Sequence, residues 1–376
     1  MTKILFLIHD LGQGGAEKVL VNLVNNMDPE KFDISVTALF GGGVNEQFLK
    51  DHIRYRAIYP KAFPGNSHVM KLLTPRQLHK LYVKEHYDIE VAYLEGPPSR
   101  IISGCSDSNT KTVTWIHCTM KNEREFALGF RSFDEAKRCY GRFDQSVFVS
   151  RDVMEAFAAF CPSDTMTVCY NTNETAKMLE LCREEVESDL FRADEVHLIG
   201  TGKLTPVKGF DRLVRIHGRL RCEGYPVHTW ILGIGEEEQK LRTLIREQKV
   251  EDSFTLLGYQ TNPYKYVAKC DLFVCSSHSE GFSTAATEAL IVGTPVCTVE
   301  VSGMKEMLGE HNEWGLVTDN DEEALYEGIR SLLDDPDKLA HYQRQAEIRG
   351  KSFSTENTVK AVEEMFHKFQ LGRREK

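Results

Sequence analysis

Residues 270–295, CDLFVCSSHSEGFSTAATEALIVGTP, constrain the fold more tightly than any other stretch of the chain. An apolar, β-favouring run at 272–275 empties into a small polar loop at 276–279, and Glu280 stands at the loop's end beside Gly281. Ser283 or Thr284 can cap a helix there, because Ala285, Ala286, Glu288, Ala289 and Leu290 favour one. Glu288 follows Glu280 after seven intervening residues, about two turns inside that helix. Unpaired backbone N–H groups and the positive end of a helix dipole suit an anion, and two carboxylates suit hydroxyls. A ligand with phosphates at its middle and sugars on either side, a nucleotide sugar, fits that mixture. On this stretch alone a second reading stands beside it: a buried strand–helix unit whose glutamates cap and face solvent.

The 376 residues are too many for one ordinary core and predict two domains. No run of eighteen apolar residues occurs, and the hydrophobic residues 3–8 are stopped by His9 and Asp10, so they predict a strand, not a signal peptide or membrane span. Ten cysteines are scattered singly, with no C-x-x-C pair and no zinc-like His spacing, as expected of reduced thiols in a cytoplasmic protein. The net charge of −10 is unevenly shared: residues 1–172 hold 20 basic and 20 acidic side chains, and the remainder carries the whole excess. That balance argues against nucleic-acid binding and favours the first half where an anionic surface must be met.

Strand 3–8 is followed by Gly12-Gln13-Gly14-Gly15-Ala16-Glu17 and an amphipathic helix bearing Val19, Leu20, Leu23 and Val24. Strand, glycine loop and helix bring backbone close to a ligand in doubly wound folds. The third glycine of the dinucleotide fingerprint and its acidic partner are missing, so a tight turn explains these glycines as well as an NAD site does. Further strands are expected at 34–40, 89–94, 112–117 and 145–150, and the alternation with helices predicts a parallel sheet covered on both faces. His117 ends one of them, where ligand crevices lie in such sheets, although a lone histidine is also a common packed residue.

Two segments of the first half combine basic and apolar residues: 71–87, with Lys71, Arg76, Lys80 and Lys84 among leucines, and 121–142, with six basic residues beside Phe126, Leu128, Phe130 and Phe133. Contact with an anionic membrane is one reading; a core-facing apolar side with solvated charges is the other. Asn171 marks a hinge between the halves, and 174–190 reads as a polar, helical linker.

The second half opens with a strand delivering Gly200 and Gly202, then Lys203 and Lys208 straddle a turn at Pro206 before a helix begins. Lysines on a loop at a strand's carboxyl end are placed to neutralise a diphosphate. Strands are expected at 228–233 and 254–257, the latter followed by Tyr259, and again near 293–297 and 314–317. A last amphipathic helix spans 355–370, ahead of a tail at 373–376 expected to be disordered.

The G-G-A-E of 14–17, the G-T-G-K-L-T-P-V-K-G-F-D of 200–211, the E-x7-E at 280–288 and the S-G-M-K-E of 302–306 together resemble retaining glycosyltransferase family 4, in this order and over the whole chain. Departures are Lys203 for an arginine, Ser283 for a proline, Thr287 for a bulkier residue, Thr172 for a proline after Asn171, and Ser302 for a glycine. The resemblance implies the GT-B architecture: two Rossmann-like, doubly wound α/β domains facing across a cleft. Residues 1–172 would bind the acceptor, with helix 355–370 packing back on them, and 173–354 would bind the donor.

It implies a metal-independent, retaining transfer of a hexosyl or N-acetylhexosaminyl unit from a nucleoside-diphosphate sugar, a UDP-sugar by preference, to a glycan acceptor, lipid-linked as in capsule or surface-polysaccharide assembly. The donor is a co-substrate, and no cofactor is expected. By the same resemblance Glu280 orients the donor sugar, His117 reaches it, Lys203 and Lys208 stabilise the leaving diphosphate with the amides near Ser283 and Thr284 and those of Gly14 and Gly15, Glu288 holds the ribose, and Tyr259 stacks on the base. The D-N-D at 319–321 spells the metal signature of the other major glycosyltransferase fold, but Asp321, Glu322 and Glu323 are what the first turn of a helix favours. Two alternatives remain open: a nucleotide-sugar epimerase of the same fold, and a non-catalytic sugar-nucleotide-binding protein. The expected location is the cytoplasm, with the inner face of the membrane as the place of any lipid contact.

Overall fold

A computed structural model describes residues 1–12, 14–63, 65–187 and 190–374, with the side chains of 67–69 and 370–374 left aside. The chain forms two compact units, Met1–Asn173 with Thr355–Lys376, and Glu174–Ser354.

The first unit carries a seven-stranded, wholly parallel sheet of β1 (Thr2–Ile8), β2 (Phe32–Phe40), β3 (Arg54–Tyr59), β4 (Ile89–Tyr93), β5 (Lys111–Ile116), β6 (Gln145–Phe148) and β7 (Met166–Val168), in the order β3-β2-β1-β4-β5-β6-β7. The second unit has six parallel strands, β8 (Val196–Thr201), β9 (Val227–Leu232), β10 (Phe254–Gly258), β11 (Leu272–Cys275), β12 (Val296–Val299) and β13 (Leu316–Thr318), ordered β10-β9-β8-β11-β12-β13. Central strands are buried throughout, as strands covered on both faces must be: Ile4 to Ile8 in β1 and Leu272 to Cys275 in β11.

In each sheet the order reverses once, between β1 and β4 and between β8 and β11. Helices leave opposite faces at such a point, and the carboxyl ends of the two strands open into a crevice. The strand order therefore brings the loop after β1 beside the loop after β4, and the loop after β8 beside the loop after β11. Chain turns there are set by backbone. Gly209, between the Pro206–Lys208 turn and the helix Phe210–Cys222, has φ +61°, and a Cβ on it would overlap the carbonyl oxygen of Ser276. Glycine is what lets these two loops touch.

The helix Thr355–Arg374 belongs to the first unit. Glu363 accepts a hydrogen bond from the Asp28 amide at 2.7 Å, and the Phe366 ring lies edge-on to Phe6 and Phe32 at 6.2 and 6.3 Å. The helix runs to Arg374, beyond the expected start of a disordered tail at 373; residues 375–376 lie outside the described residues. The linker 174–190 is less helical than expected, with one helix, Thr175–Leu181; positions 188 and 189 lie outside the described residues.

The aromatic part of the basic segment 121–142 is core, not surface. Phe126 is 0% exposed among Phe133, Tyr140, Phe157 and Phe160, and Phe130 packs on Tyr140, with ring centroids 5.0 to 5.5 Å apart, so these rings bury their area against one another. Leu128 and Leu72 remain exposed, at 66% and 78%.

Candidate functional site

In the second unit the loops at the β8/β11 reversal are knitted together. The Lys208 ammonium donates to Glu280 Oε1 at 2.6 Å, and the Ser277 hydroxyl donates to the same oxygen at 2.6 Å. Ser276 Oγ donates to the Lys208 carbonyl at 3.0 Å, and the His278 amide to the Val207 carbonyl at 2.7 Å. Burial alone would depress the Lys208 pKa, but the Glu280 charge outweighs it and holds that pKa above the ordinary lysine value. Lys208 thus stands as an ammonium at neutral pH.

Beyond Glu280 the helix Thr284–Ile291 begins. Ser283 caps it, its hydroxyl accepting from the Ala286 amide at 3.3 Å, and Thr284 is its first residue. The remaining amides of the first turn carry the positive end of the helix dipole beside the Lys208–Glu280 pair. Glu288, half-buried, accepts from the Tyr264 hydroxyl at 3.3 Å, on the face turned to the helix Tyr264–Val267. A small pocket at the strand ends is lined by Thr201, Lys208, Ser277, Glu280, Ser283 and Ala285. Lys203 is exposed and its ammonium has no partner among the described residues; Tyr259 is exposed as well. A larger open groove, beside the edge strand β10, is lined by Arg242, Arg246 and Phe254 and contains none of these residues.

Sequence reasoning left three neighbours of this cluster unmarked. Arg212, 3% exposed, donates from Nε to the Ser276 carbonyl at 2.6 Å and from an NH2 to the Ser277 carbonyl at 2.7 Å, while its other NH2 reaches Asn320 Oδ1 at 3.0 Å. Tyr264 is the third. The sequence signal for Arg212 is its place four residues after Lys208, in the first turn of a helix that starts at the site.

In the first unit the reversal between β1 and β4 gathers His9, Asp10, Gly14, Gly15, Glu17 and Glu95. Asp10 accepts from the Gly12 amide at 2.7 Å and pairs with His9 Nδ1 at 2.7 Å, and Asn45 donates to the Gly12 carbonyl; Gln13 lies outside the described residues. Gly14 and Gly15 are exposed at the start of the helix Gly15–Asn26. Burial raises the Glu17 pKa, and the charges of Asp10 and Glu95 act in the same direction. Glu95 accepts from the His117 amide at 3.0 Å, following Leu94, which is held at φ +106°, a costly conformation for a residue with a side chain. His117 is 8% exposed, its ring 4.7 Å from that of Tyr93, and burial lowers its pKa to about 3. Its Nε2 is buried with no hydrogen-bond partner among the described residues. A neutral imidazole with one unused polar atom can accept from or donate to a ligand hydroxyl.

Potential metal ligands come together at one place among the described residues: atoms of His79, Glu90 and Cys105 lie within 4.8 Å of one another in the first unit. His79 Nε2 is 2.7 Å from Glu90. Burial opposes the imidazolium, but hydrogen bonds with Cys105 and Glu90 prevail and raise its pKa to about 9. A protonated ring bonded to a carboxylate accounts for that grouping as an ion pair. In the D-N-D stretch, Asp321 caps the helix Glu322–Leu333, accepting from the Ala324 amide at 2.8 Å.

Residues 183–349 match the family model "Glycosyl transferases group 1". The chain is 26% identical over 366 residues to the N-acetylgalactosamine-N,N'-diacetylbacillosaminyl-diphospho-undecaprenol 4-alpha-N-acetylgalactosaminyltransferase of Campylobacter jejuni, covering 94% of this chain and 96% of that one. It is 26% identical over 329 residues to the lipopolysaccharide core biosynthesis glycosyltransferase LpsD of Rhizobium meliloti, covering 88% of each. Among solved structures, Anabaena Alr3699/HepE in complex with UDP superposes with a TM-score of 0.77 at 20% identity, covering 97% of this chain and 100% of that one.

Proposed function

The chain belongs to the group 1 glycosyl transferases, a retaining family with the GT-B fold, and from that premise we propose that it moves a hexosyl or N-acetylhexosaminyl unit from a UDP-sugar to a lipid-linked glycan in surface-polysaccharide assembly. The observation that carries the reading is the Lys208–Glu280 pair at the mouth of the helix Thr284–Ile291, with Glu288 about one turn inside that helix, nearer its start than the two turns expected from the spacing alone. The relatives' names support the choice of donor and acceptor: one structural neighbour holds UDP, and the Campylobacter relative acts on an undecaprenol-linked saccharide.

Transfer with retention breaks the bond between the sugar's anomeric carbon and the diphosphate, and the electron pair leaves with UDP. The acceptor oxygen attacks from the face the diphosphate vacates, and its proton passes to the departing phosphate. Negative charge builds on UDP as positive charge builds on the sugar ring, so a site gains rate by meeting both. Lys208 spends one of its three N–H donors on Glu280 and has two left for phosphate oxygens. The amides of the Ser283 cap region and the exposed Lys203 add to the positive side, and Gly14 and Gly15 in the first unit offer bare backbone for close approach. Glu280 holds the sugar's hydroxyls, Glu288 the ribose, His117 a further sugar hydroxyl through Nε2, and Tyr259 the base. The first unit then serves the acceptor and the second the donor.

The first unit also meets an anionic membrane on this reading. Arg131 donates to the carbonyls of Lys71 and Leu72, which ties the two basic segments together and leaves Leu72 and Leu128 exposed among cations. No helix among the described residues is long and apolar enough to cross a membrane.

A thermal-shift panel of UDP, GDP and ADP tests the reading, followed by release of UDP from UDP-glucose, UDP-galactose, UDP-N-acetylglucosamine and UDP-N-acetylgalactosamine. UDP at 100 times its dissociation constant stabilises by about 2.7 kcal/mol, roughly 5–10 °C for a unit of this size. No shift from any nucleoside diphosphate at millimolar concentration overturns the assignment.

A further inference from the structure

We infer that Arg212 is a positioning residue for sugar transfer: its guanidinium fixes the loop that presents Glu280 and Ser277, and Asn320 fixes the guanidinium. The inference rests on the reading of Lys208 and Glu280 as the donor site.

A buried cation ordinarily has a carboxylate partner, because an unpaired charge taken out of water is costly. Arg212 is 3% exposed and, among the described residues, forms no ion pair. Asp211, Glu322 and Asp321 act on it only through their fields, and burial holds its pKa below the ordinary arginine value. Its hydrogen bonds go instead to the carbonyls of Ser276 and Ser277, consecutive residues of one loop, at 2.6 and 2.7 Å. A planar fork with donors in fixed directions locks both peptide units at once, which a lysine ammonium cannot do. With those carbonyls held, the Ser277 hydroxyl reaches Glu280 at 2.6 Å, and the Ser276 hydroxyl reaches the backbone of Lys208 at 3.0 Å. One side chain thus sets the register between the residue that holds the sugar and the residue that meets the diphosphate.

Asn320 closes the bracket from a third loop. It accepts from Arg212 at 3.0 Å and its own amide nitrogen lies 3.5 Å from the His278 carbonyl, in the same loop that Arg212 holds. This gives the D-N-D stretch a use that involves no metal: Asp321 starts a helix, and Asn320 braces the guanidinium. Fold stability alone is better served by an apolar residue at a buried position than by a charge bonded to neutral groups, so the placement points to geometry at the loop.

The test uses the full chain and whichever of the four UDP-sugars the wild type turns over. Arg212→Lys keeps the charge and loses the fork; kcat is expected to fall about 30-fold while the donor KM changes less than about threefold, and the thermal shift with UDP is kept. Asn320 is exposed, so Asn320→Ala leaves the fold intact and isolates the brace even where Arg212→Lys does not fold. It is expected to lower kcat about fivefold at unchanged melting temperature, and Asn320→Asp, which keeps the acceptor for Arg212, restores kcat to within about twofold of wild type. Wild-type kcat in Asn320→Ala overturns the inference, as does loss seen only in KM or an Asn320→Asp as slow as the alanine variant. If the wild type neither binds UDP nor turns over a UDP-sugar, the donor-site reading falls and takes this inference with it; if the wild type is active and the variants match it, only this inference falls.

Discussion

At the residue scale, two lysines with the same sequence credentials occupy different physical positions. Lys208 is half-buried and bonded to Glu280, whereas Lys203 stands in solvent. A charge in a partly desolvated pocket acts more strongly on a departing diphosphate than one screened by water. Lys208→Ala is therefore expected to lower kcat/KM by about 100-fold or more and Lys203→Ala by less than about tenfold, in UDP-release kinetics. Equal losses would break the distinction. The sequence marked both lysines and both glutamates because spacing along the chain survives folding. It could not mark Arg212 or Asn320, since their meeting joins residues 108 apart and depends on how β13 lies in the sheet. Nor could it tell that Lys208 and Glu280 are bonded to each other, since the contact needs the two loops to be brought together by strand order and by Gly209.

At the scale of elements, the central strands were legible as apolar runs, and the helices between them as amphipathic periods. β3 and β7 were not. β3 is an edge strand bearing Arg54 and Arg56, whose guanidinium groups bond Ser35 and Thr37 on β2, so its pattern is too polar to read as sheet. β7 is another edge strand and has three residues, too few for any period to show. The segment 71–87 contains the helix Pro75–Tyr82, with a Thr74–Gln77 capping box; Leu78 and Tyr82 face inward and Leu72 and Leu81 do not. If Leu72 and Leu128 enter a bilayer interface beside basic residues, the protein sediments with phosphatidylglycerol-containing vesicles and not with neutral phosphatidylcholine ones. Leu72→Asp with Leu128→Asp then releases it at unchanged melting temperature, by about tenfold in partitioning. Binding that survives both changes would remove the membrane from the proposal.

At the scale of the whole molecule, three histidines give the units different responses to pH. Burial lowers the pKa of His117 in the first unit and of His217 in the second to about 3 each, against 6.5 for a free imidazole. A depressed pKa means the unfolded chain binds the proton first, so this stability is complete above pH 6.5 and drains away as pH falls toward 3. His79, raised to about 9, has the opposite sign: its share is complete below 6.5 and is lost as pH climbs through 9. Denaturant unfolding is expected to cost each unit about 2 kcal/mol between pH 7 and 5 from its neutral histidine, with His217→Gln flattening that slope for the second unit. An unchanged slope in that variant would refute the assignment. The first unit has one more property that comes from its connectivity: it is built from residues 1–173 and 355–376, with the entire second unit encoded between them. During synthesis the sheet β1–β7 leaves the ribosome long before the helix that carries Phe366 exists, and the surface around Phe6 and Phe32 waits uncovered while another 181 residues are translated. Maturation of the first unit is thereby tied to synthesis of the helix that follows the second, and a chain cut short before residue 355 would leave the first unit as the part that quality control recognises.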